Sequence, residues 1–415
     1  MAGRRARPLE YSLLYTATLC MLAAGAVMVY SASSAESLLG GSGDPLYYLK
    51  RYVAFGLVGF AVMELMRRRG LRVVRSLTGP LLGISFFLTL AVMVPGIGVN
   101  VNGATRWLAA GPVQFQPSEL LKLALVLYAC QLLATRPRAT CALGGVVKPL
   151  LLVVGAACLL LLAEPDMGTA IVVALSIAAL LVAAGVPLRH LGVIAAAILA
   201  LALIVAVAAP YRRARLTSFV DPFADARGSG FQTVQSLVAV GSGGLFGVGL
   251  GESVQKIFYL PEAHTDMILA VIAEELGLVG VASVAFLYGM VAYAGLRTAK
   301  LAAERYPKLL AAGITSLIAC QATLNFFAVL GLAPLTGVPL PFISYGSSNL
   351  VVMMAGMGLL LNVAATGGRA ERATRPRLRA IDGGGRAAHR DRGRRHRGSR
   401  RAGARGRRRA AGEGG

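Results

Sequence analysis

The chain has 415 residues, 56% of them hydrophobic and only 15% charged, with a formal net charge of +23. Apolar runs this long and frequent exclude a soluble globule, and their lack of apolar–polar alternation excludes a membrane β-barrel. Much of the charge belongs to the tail, where residues 367–415 hold 17 arginines against four acids.

A hydrocarbon core of about 30 Å takes about 20 apolar residues as helix. Ten segments qualify or nearly so: 12–32, 51–66, 78–95, 118–134, 147–163, 168–185, 190–209, 267–296, 308–332 and 346–365. The expected fold is an all-α polytopic membrane protein of about ten transmembrane helices, with a large outer loop between spans 7 and 8. Residues 1–11 are expected as a basic cytoplasmic N-terminus. Residues 12–366 form the transmembrane domain, with its outer loop over 210–266. Residues 367–415 lack the bulky apolar residues of a core and are expected as a disordered Arg-rich cytoplasmic tail attracted to anionic lipid.

Arg4-Arg5-Ala6-Arg7, an apolar run and then Ser31-Ala32-Ser33-Ser34-Ala35 imitate a signal peptide. The run is longer than a signal core, so it is expected to remain as the first span. With both termini inside, most Lys and Arg fall on the cytoplasmic side, Arg67 to Arg75 most strongly. The cations left outside are the informative ones. Lys50 and Arg51 flank a span, whereas Arg106, Lys122, Arg212, Arg213, Arg215, Arg227 and Lys256 cluster in or beside two outer loops and suggest an anionic ligand.

Along the chain, the loop Val99–Leu108 sets Trp107, the single tryptophan, beside Arg106. Trp107 reads either as an interfacial anchor or as a surface for a sugar ring. Pro117 suits a first helical turn, with Glu119 and Lys122 on one face. Lys122 reads as a structural ion pair with Glu119 or, with Arg106, as a phosphate ligand. Glu164-Pro165-Asp166 splits an apolar stretch, leaving open whether it joins full spans or half-helices and whether Asp166 simply caps the next helix.

The segment from Pro210 to Asp266 is too long for a connector. Its Gly241–Gly251 run fits no nucleotide-binding pattern and is expected as a re-entrant or interfacial piece whose glycines allow close backbone approach. It ends in Tyr259–Asp266, which places Glu262 and Asp266 one helical turn apart at the mouth of a span, with His264 between them. Carboxylates at such a place are costly and mark function, although Thr265 or Asp266 could merely cap the helix and His264 be an interfacial polar residue. Glu274 and Glu275 lie deeper and are expected to face other helices or a polar cavity. Thr336–Asn349, with Ser344 among its hydroxyls, reads as a broken helix lining a cavity. Cys20, Cys130, Cys141, Cys158 and Cys320 are scattered, without a disulfide framework or metal-ligand spacing.

Six motifs taken together carry a resemblance: Asn102–Trp107, Gln116–Leu120, Glu164–Thr169, Gly241–Gly247, Pro261–Asp266 and Pro339–Gly346. In this order, over about Tyr11 to Val363, the chain resembles the SEDS (shape, elongation, division, sporulation) family. Arg215–Pro222 and Gln255–Leu260 are more similar to its division-type than to its elongation-type members, with the sporulation type close behind. The family usually continues Ser-Tyr-Gly-Gly-Ser-Ser where this chain has Ser344-Tyr345-Gly346-Ser347-Ser348-Asn349.

The resemblance implies a peptidoglycan glycosyltransferase that polymerises lipid II on the outer face of the bacterial cytoplasmic membrane, at the division septum. It makes Asp266 the catalytic carboxylate. Arg106, Trp107, Glu119, Lys122, Arg215, Glu262, His264 and Ser344 become candidates for holding lipid II and the undecaprenyl-linked growing glycan. A divalent cation, Mg or Mn, could share the pyrophosphate charge, although no sequence pattern marks one and no organic cofactor is expected. The implied partners are a penicillin-binding transpeptidase and other divisome proteins, with no nucleic acid. Two rival readings stay open, a lipid II flippase, which Glu274 and Glu275 keep alive, and a division scaffold without chemistry.

Overall fold

A computed structural model describes residues 8–39, 43–101, 104–111, 113–136, 147–187, 189–193, 196, 218–228, 230–257 and 259–374. The chain divides into two units, 1–374 and 375–415, and all described residues lie in the first. Ten helices are described: α1 (Leu9–Leu39), α2 (Tyr47–Arg68), α3 (Leu71–Val92), α4 (Pro117–Thr135), α5 (Lys148–Ala163), α6 (Met167–Ala183), α7 (Phe231–Gly243), α8 (Ile268–Leu301), α9 (Arg305–Val329) and α10 (Ser347–Thr374).

The architecture is that of a polytopic membrane protein. Among the described residues, α1, α3, α4, α8, α9 and α10 are long and apolar enough to cross a bilayer. α2 is long enough but carries Lys50, Arg51, Glu64, Arg67 and Arg68. α5 and α6 are apolar but only 16 and 17 residues long, or about 24–26 Å of helix against a core of about 30 Å. The span expected at 190–209 lies almost wholly outside the described residues, so a count of ten spans is not reached.

Helix pairs pack through small residues, as expected where no hydrophobic driving force acts between helices in lipid. A Cβ on Gly358 of α10 would sit 2.3 Å from the Met63 carbonyl of α2, and one on Gly295 of α8 would sit 2.1 Å from the Thr315 hydroxyl of α9.

One expectation needs correction. The outer loop before α4 is not irregular but a three-stranded antiparallel sheet of β1 (Gly98–Val101), β2 (Ala104–Ala110) and β3 (Val113–Phe115), in the order β1-β2-β3. Val99 pairs with Trp107, and Ala109 with Gln114. β-Branched and aromatic residues around Asn102-Gly103 are a hairpin sequence, a signal that hydropathy alone hides.

α8 is interrupted at Gly277, whose φ of 65° and ψ of −162° leave the helix. The freed groups are taken by the glycine run that follows α7. Leu278 N donates to Gly244 O at 2.9 Å and Val279 N to Leu245 O at 3.2 Å, while Val248 N donates to Glu274 O at 2.9 Å and Gly249 N to Glu275 O at 3.0 Å. Such proximity requires glycine: a Cβ on Gly243 would lie 1.9 Å from the Ala273 carbonyl, and one on Gly247 2.1 Å from that of Glu275. The expectation of close backbone approach in this run is met here.

Candidate active site

The segment before α8 is a chain of turns rather than a helix. Glu262 and Asp266 are therefore not neighbours on a helical face. Glu262 takes a left-handed φ of 56°, Met267 N returns to its carbonyl at 3.3 Å, and Met267 occupies the N-cap without a side-chain cap. The two carboxylates meet by another route. The Thr265 hydroxyl stands 3.0 Å from Glu262 Oε2 and 3.2 Å from Asp266 Oδ1, bridging both. Glu262 is exposed and Asp266 half-buried. Neither Thr265 nor Asp266 is spent as a helix cap, because the turns move the helix start beyond them.

A strap formed by residues 336–346 lies against this pair. Gly337 has a φ of +68°, and a Cβ there would lie 3.8 Å from Asp266 Oδ2. Tyr345 N donates to His264 O at 2.9 Å. Asn325, on α9, donates through Nδ2 to the backbone carbonyls of Asp266 at 2.7 Å and Val338 at 2.9 Å. Tyr52 and Tyr288 donate their hydroxyls to the strap carbonyls of Phe342 and Pro341. Ser344 is buried, and its Oγ accepts from Leu340 N at 2.8 Å. Ser344 thus closes the strap's own turn and does not stand as an open substrate ligand.

His264 is buried under aromatic rings. Its ring centroid lies 4.2 Å from that of Tyr48 and 5.6 Å from that of Tyr345, and those two tyrosines meet edge to face at 5.1 Å. Its Nδ1 lies 3.3 Å from Glu36 Oε2 on α1, in a direction that falls short of a hydrogen bond. Arg51 lies over the Tyr47 ring at 4.9 Å. Glu36, Tyr48, Arg51 and Asn325 were not among the candidates the sequence offered, Arg51 being read as a span flank, and Tyr345 appeared only within the Pro339–Gly346 motif.

The turn between α5 and α6 adjoins the same strap. Gly168 is so close that a Cβ would lie 2.4 Å from Thr336 O. Asp166 caps α6, accepting from Thr169 N at 3.2 Å, and also accepts from Ser118 Oγ at 3.1 Å and Gln116 Nε2 at 3.2 Å. Arg106 folds onto this turn, donating from Nε to Glu164 O at 3.2 Å and from Nη2 to the Pro165 carbonyl. Glu164 is buried, and its Oε1 finds no partner among the described residues. Burial pushes its carboxyl up to about 8, with Asp166 adding to the rise and Arg106 opposing it.

Lys122 does not join Arg106 in an open anion site. It is fully buried, its Nζ 3.0 Å from Glu119 Oε1 and 2.8 Å from Gln321 Oε1. Asn349 donates to the other Glu119 oxygen at 2.7 Å. The structural ion pair is thus what the helix face forms, and the phosphate reading of Lys122 is corrected accordingly. Ser347 donates to Gln114 O at 3.1 Å, so the two side chains that depart from the usual glycine and serine pattern tie the start of α10 to β3 and α4. Trp107 is half-buried in β2, and Arg215 lies outside the described residues.

Glu274 and Glu275 are also engaged. Glu274 accepts from Val254 N at 3.0 Å, Gln255 N at 3.4 Å and the Ser253 hydroxyl. Glu275 accepts from Lys256 Nζ at 2.7 Å and from Ser31 Oγ at 2.6 Å. Glu274 thus holds the loop at the break of α8, while Glu275 joins that loop to Ser31 of α1, the neighbouring helix it was expected to face. Among the described residues no group of three or more His, Cys, Asp or Glu could hold a metal ion. Glu262 and Asp266, with the Thr265 oxygen between them, do offer oxygen donors suited to an ion that keeps waters and shares a substrate phosphate.

A family model for FtsW, RodA and SpoVE, described as a cell cycle protein, matches residues 11–367. This chain belongs to that family. It is 44% identical over 366 residues to the probable peptidoglycan glycosyltransferase FtsW of Thioalkalivibrio sulfidiphilus, covering 87% of this chain and 90% of that protein. It is 38% identical over 352 residues to the stage V sporulation protein E of Bacillus subtilis, with 85% and 96% covered. Its fold is similar to a chain of a peptidoglycan synthase complex that coordinates polymerization and crosslinking, at a TM-score of 0.69, 33% identity and coverage of 85% and 97%. The rod shape determining protein RodA of Thermus thermophilus matches at 0.62, with 31% identity and 85% and 95% covered. In this FtsW/RodA/SpoVE member, three of the family-like motifs converge: Pro261–Asp266 and Glu164–Thr169 both abut the strap that contains Pro339–Gly346.

Proposed function

We propose that this chain is a peptidoglycan glycosyltransferase that polymerises lipid II on the outer face of the cytoplasmic membrane during cell division. The observation that carries the reading is the pair Glu262 and Asp266, bridged by Thr265 and held on the strap at the end of a membrane-spanning helix. Relatives named peptidoglycan glycosyltransferase support the reaction class.

Asp266 acts as general base on the 4-hydroxyl of the acceptor N-acetylglucosamine. That oxygen bonds to the anomeric carbon of the donor N-acetylmuramic acid, and the bond from this carbon to the pyrophosphate oxygen breaks with its electron pair. Undecaprenyl pyrophosphate leaves without needing a proton, so a second acidic carboxyl is not required. Asp266 is half-buried, so its carboxylate is open to an arriving acceptor hydroxyl. Arg106 and Arg51 supply positive charge for the leaving group. Glu262 is the carboxylate that would share a Mg or Mn ion with the pyrophosphate, and such an ion would neutralise the leaving charge. Tyr48, Tyr345 and Tyr47 offer ring faces for the sugars beside His264.

The flippase alternative drew on many spans, broken helices and the intramembrane acids Glu274 and Glu275; those two acids are paired with Ser253, Lys256 and Ser31, which removes the feature that favoured it most. On this reading both termini lie in the cytoplasm, the protein works at the septum, and its partners are a penicillin-binding transpeptidase and further divisome proteins. The test is glycan synthesis from labelled lipid II by the purified protein with its transpeptidase partner, in detergent with divalent cations present. Wild type should make long strands and Asp266→Asn none, a loss of about 10²–10⁴-fold if a general base is removed. Equal strand synthesis by both would end the general-base assignment, and no strands from either would favour a flippase or a scaffold.

A further inference from the structure

Asn325 stands apart from the other buried polar groups of α9 in what it touches. Its side chain is 2% exposed, and Nδ2 donates both to the backbone carbonyl of Asp266 and to that of Val338. Since both partners are carbonyl oxygens, the amide orientation is fixed: only the nitrogen can face them. Its Oδ1 finds no partner among the described residues. The donating end is what this position uses.

The two carbonyls belong to different pieces of chain. Asp266 ends the outer loop, and Val338 follows Gly337, a strap residue whose added Cβ would lie 3.8 Å from the Asp266 carboxylate. One turn earlier on α9, Gln321 donates to the Pro339 carbonyl at 2.8 Å while its Oε1 accepts from Lys122. α9 thus presents two amides, four residues apart, that grip consecutive strap carbonyls, and only Asn325 also grips the loop. Tyr345 N on His264 O clamps the strap's other end to the loop.

We infer that Asn325 is a positioning residue for the reaction, fixing the backbone of Asp266 against the strap so that the carboxylate is held where the acceptor hydroxyl arrives. The inference rests on the reading of Asp266 as the base. A carboxylate shifted by about 1 Å loses on the order of 100-fold in rate even when substrate still binds.

The molecule contains its own control. Asn362 on α10 makes the same kind of double bridge, donating to Arg67 O at 2.7 Å and Arg69 O at 2.6 Å, at the end of α2 that carries the Arg67–Arg69 cations. The experiment compares kcat and KM for lipid II polymerisation, together with thermal unfolding, in wild type, Asn325→Leu, Asn325→Ala and Asn362→Leu, with Asp266→Asn as reference. In Asn325→Leu, kcat should fall on the order of 10- to 100-fold with KM within about twofold of wild type. Asn325→Ala should fall less, because the space admits a water that can donate to both carbonyls. Asn362→Leu should lower the unfolding temperature and leave kcat unchanged. If Asn325→Leu does not fold, Asn325→Ala decides. Wild-type kcat in the Asn325 variants, or a loss no larger than in Asn362→Leu, overturns the positioning role. Wild-type rates in Asp266→Asn overturn the reading of the base, whatever Asn325 does.

Discussion

Gly247→Ala tests whether the outer loop is held in the break of α8. The new methyl would stand 2.1 Å from the Glu275 carbonyl oxygen, 2.4 Å from its carbon and 2.6 Å from Leu276 N, at a φ of +80°. These neighbours are backbone atoms and cannot swing aside. The left-handed conformation costs about 1–2 kcal/mol for a residue with a Cβ. The clash forces the loop off, with loss of the four cross-bonds at Val248, Gly249, Leu278 and Val279, at about 0.5–1.5 kcal/mol each. Together the local destabilisation is about 3–8 kcal/mol. Gly244→Ala is the comparison without a clash: its φ of 54° and ψ of −142° lie in a region essentially kept for glycine, at a cost of about 1–3 kcal/mol, but nothing lies within 4 Å of the added methyl. Hydrogen exchange of those four amides reads the docking directly, and strand synthesis reads its consequence for Asp266. Gly247→Ala should lose protection at all four and most activity, while Gly244→Ala keeps both. Equal behaviour of the two variants would refute loop docking as what shapes this region.

Other expectations follow from single side chains. Glu164 titrates at about 8 when folded against an ordinary 4.5, so the folded state holds the extra proton between those values. Its contribution to stability is fully present below about 4.5 and is lost as pH rises through about 8; thermal unfolding of Glu164→Gln across this window should lack that component and show a growing advantage over wild type. Lys122→Met leaves Glu119 buried and should cost about 3–5 kcal/mol, most of it recovered by adding Glu119→Gln; full stability of the single variant in unfolding assays would contradict the buried pair.

Much of the fold was legible in the chain because the bilayer imposes a one-dimensional rule: about 20 apolar residues for each crossing, cations inside, polar loops outside. The apolar runs located α1, α3, α4, α8, α9 and α10, although α1 ends at Leu39 and α3 begins at Leu71, well outside the runs 12–32 and 78–95, and the carboxylates of Tyr259–Asp266 and the basic Arg106 marked a polar site. Hydropathy is blind to strand pairing, so the β1–β3 sheet was missed in spite of its Asn102-Gly103 signal.

What the sequence by itself determined, then, is which residues are unusual for their depth: Asp266, Glu262, Lys122, Glu164, Glu274 and Glu275. Only the tertiary structure decided which groups each of them meets. Lys122 meets Gln321 across 199 positions, Glu275 meets Ser31 across 244, and Asn325 reaches Asp266 across 59. A buried charge costs several kcal/mol unless it is paired, and the identity of its partner depends on which helix faces meet, information that hydropathy and spacing along the chain do not contain.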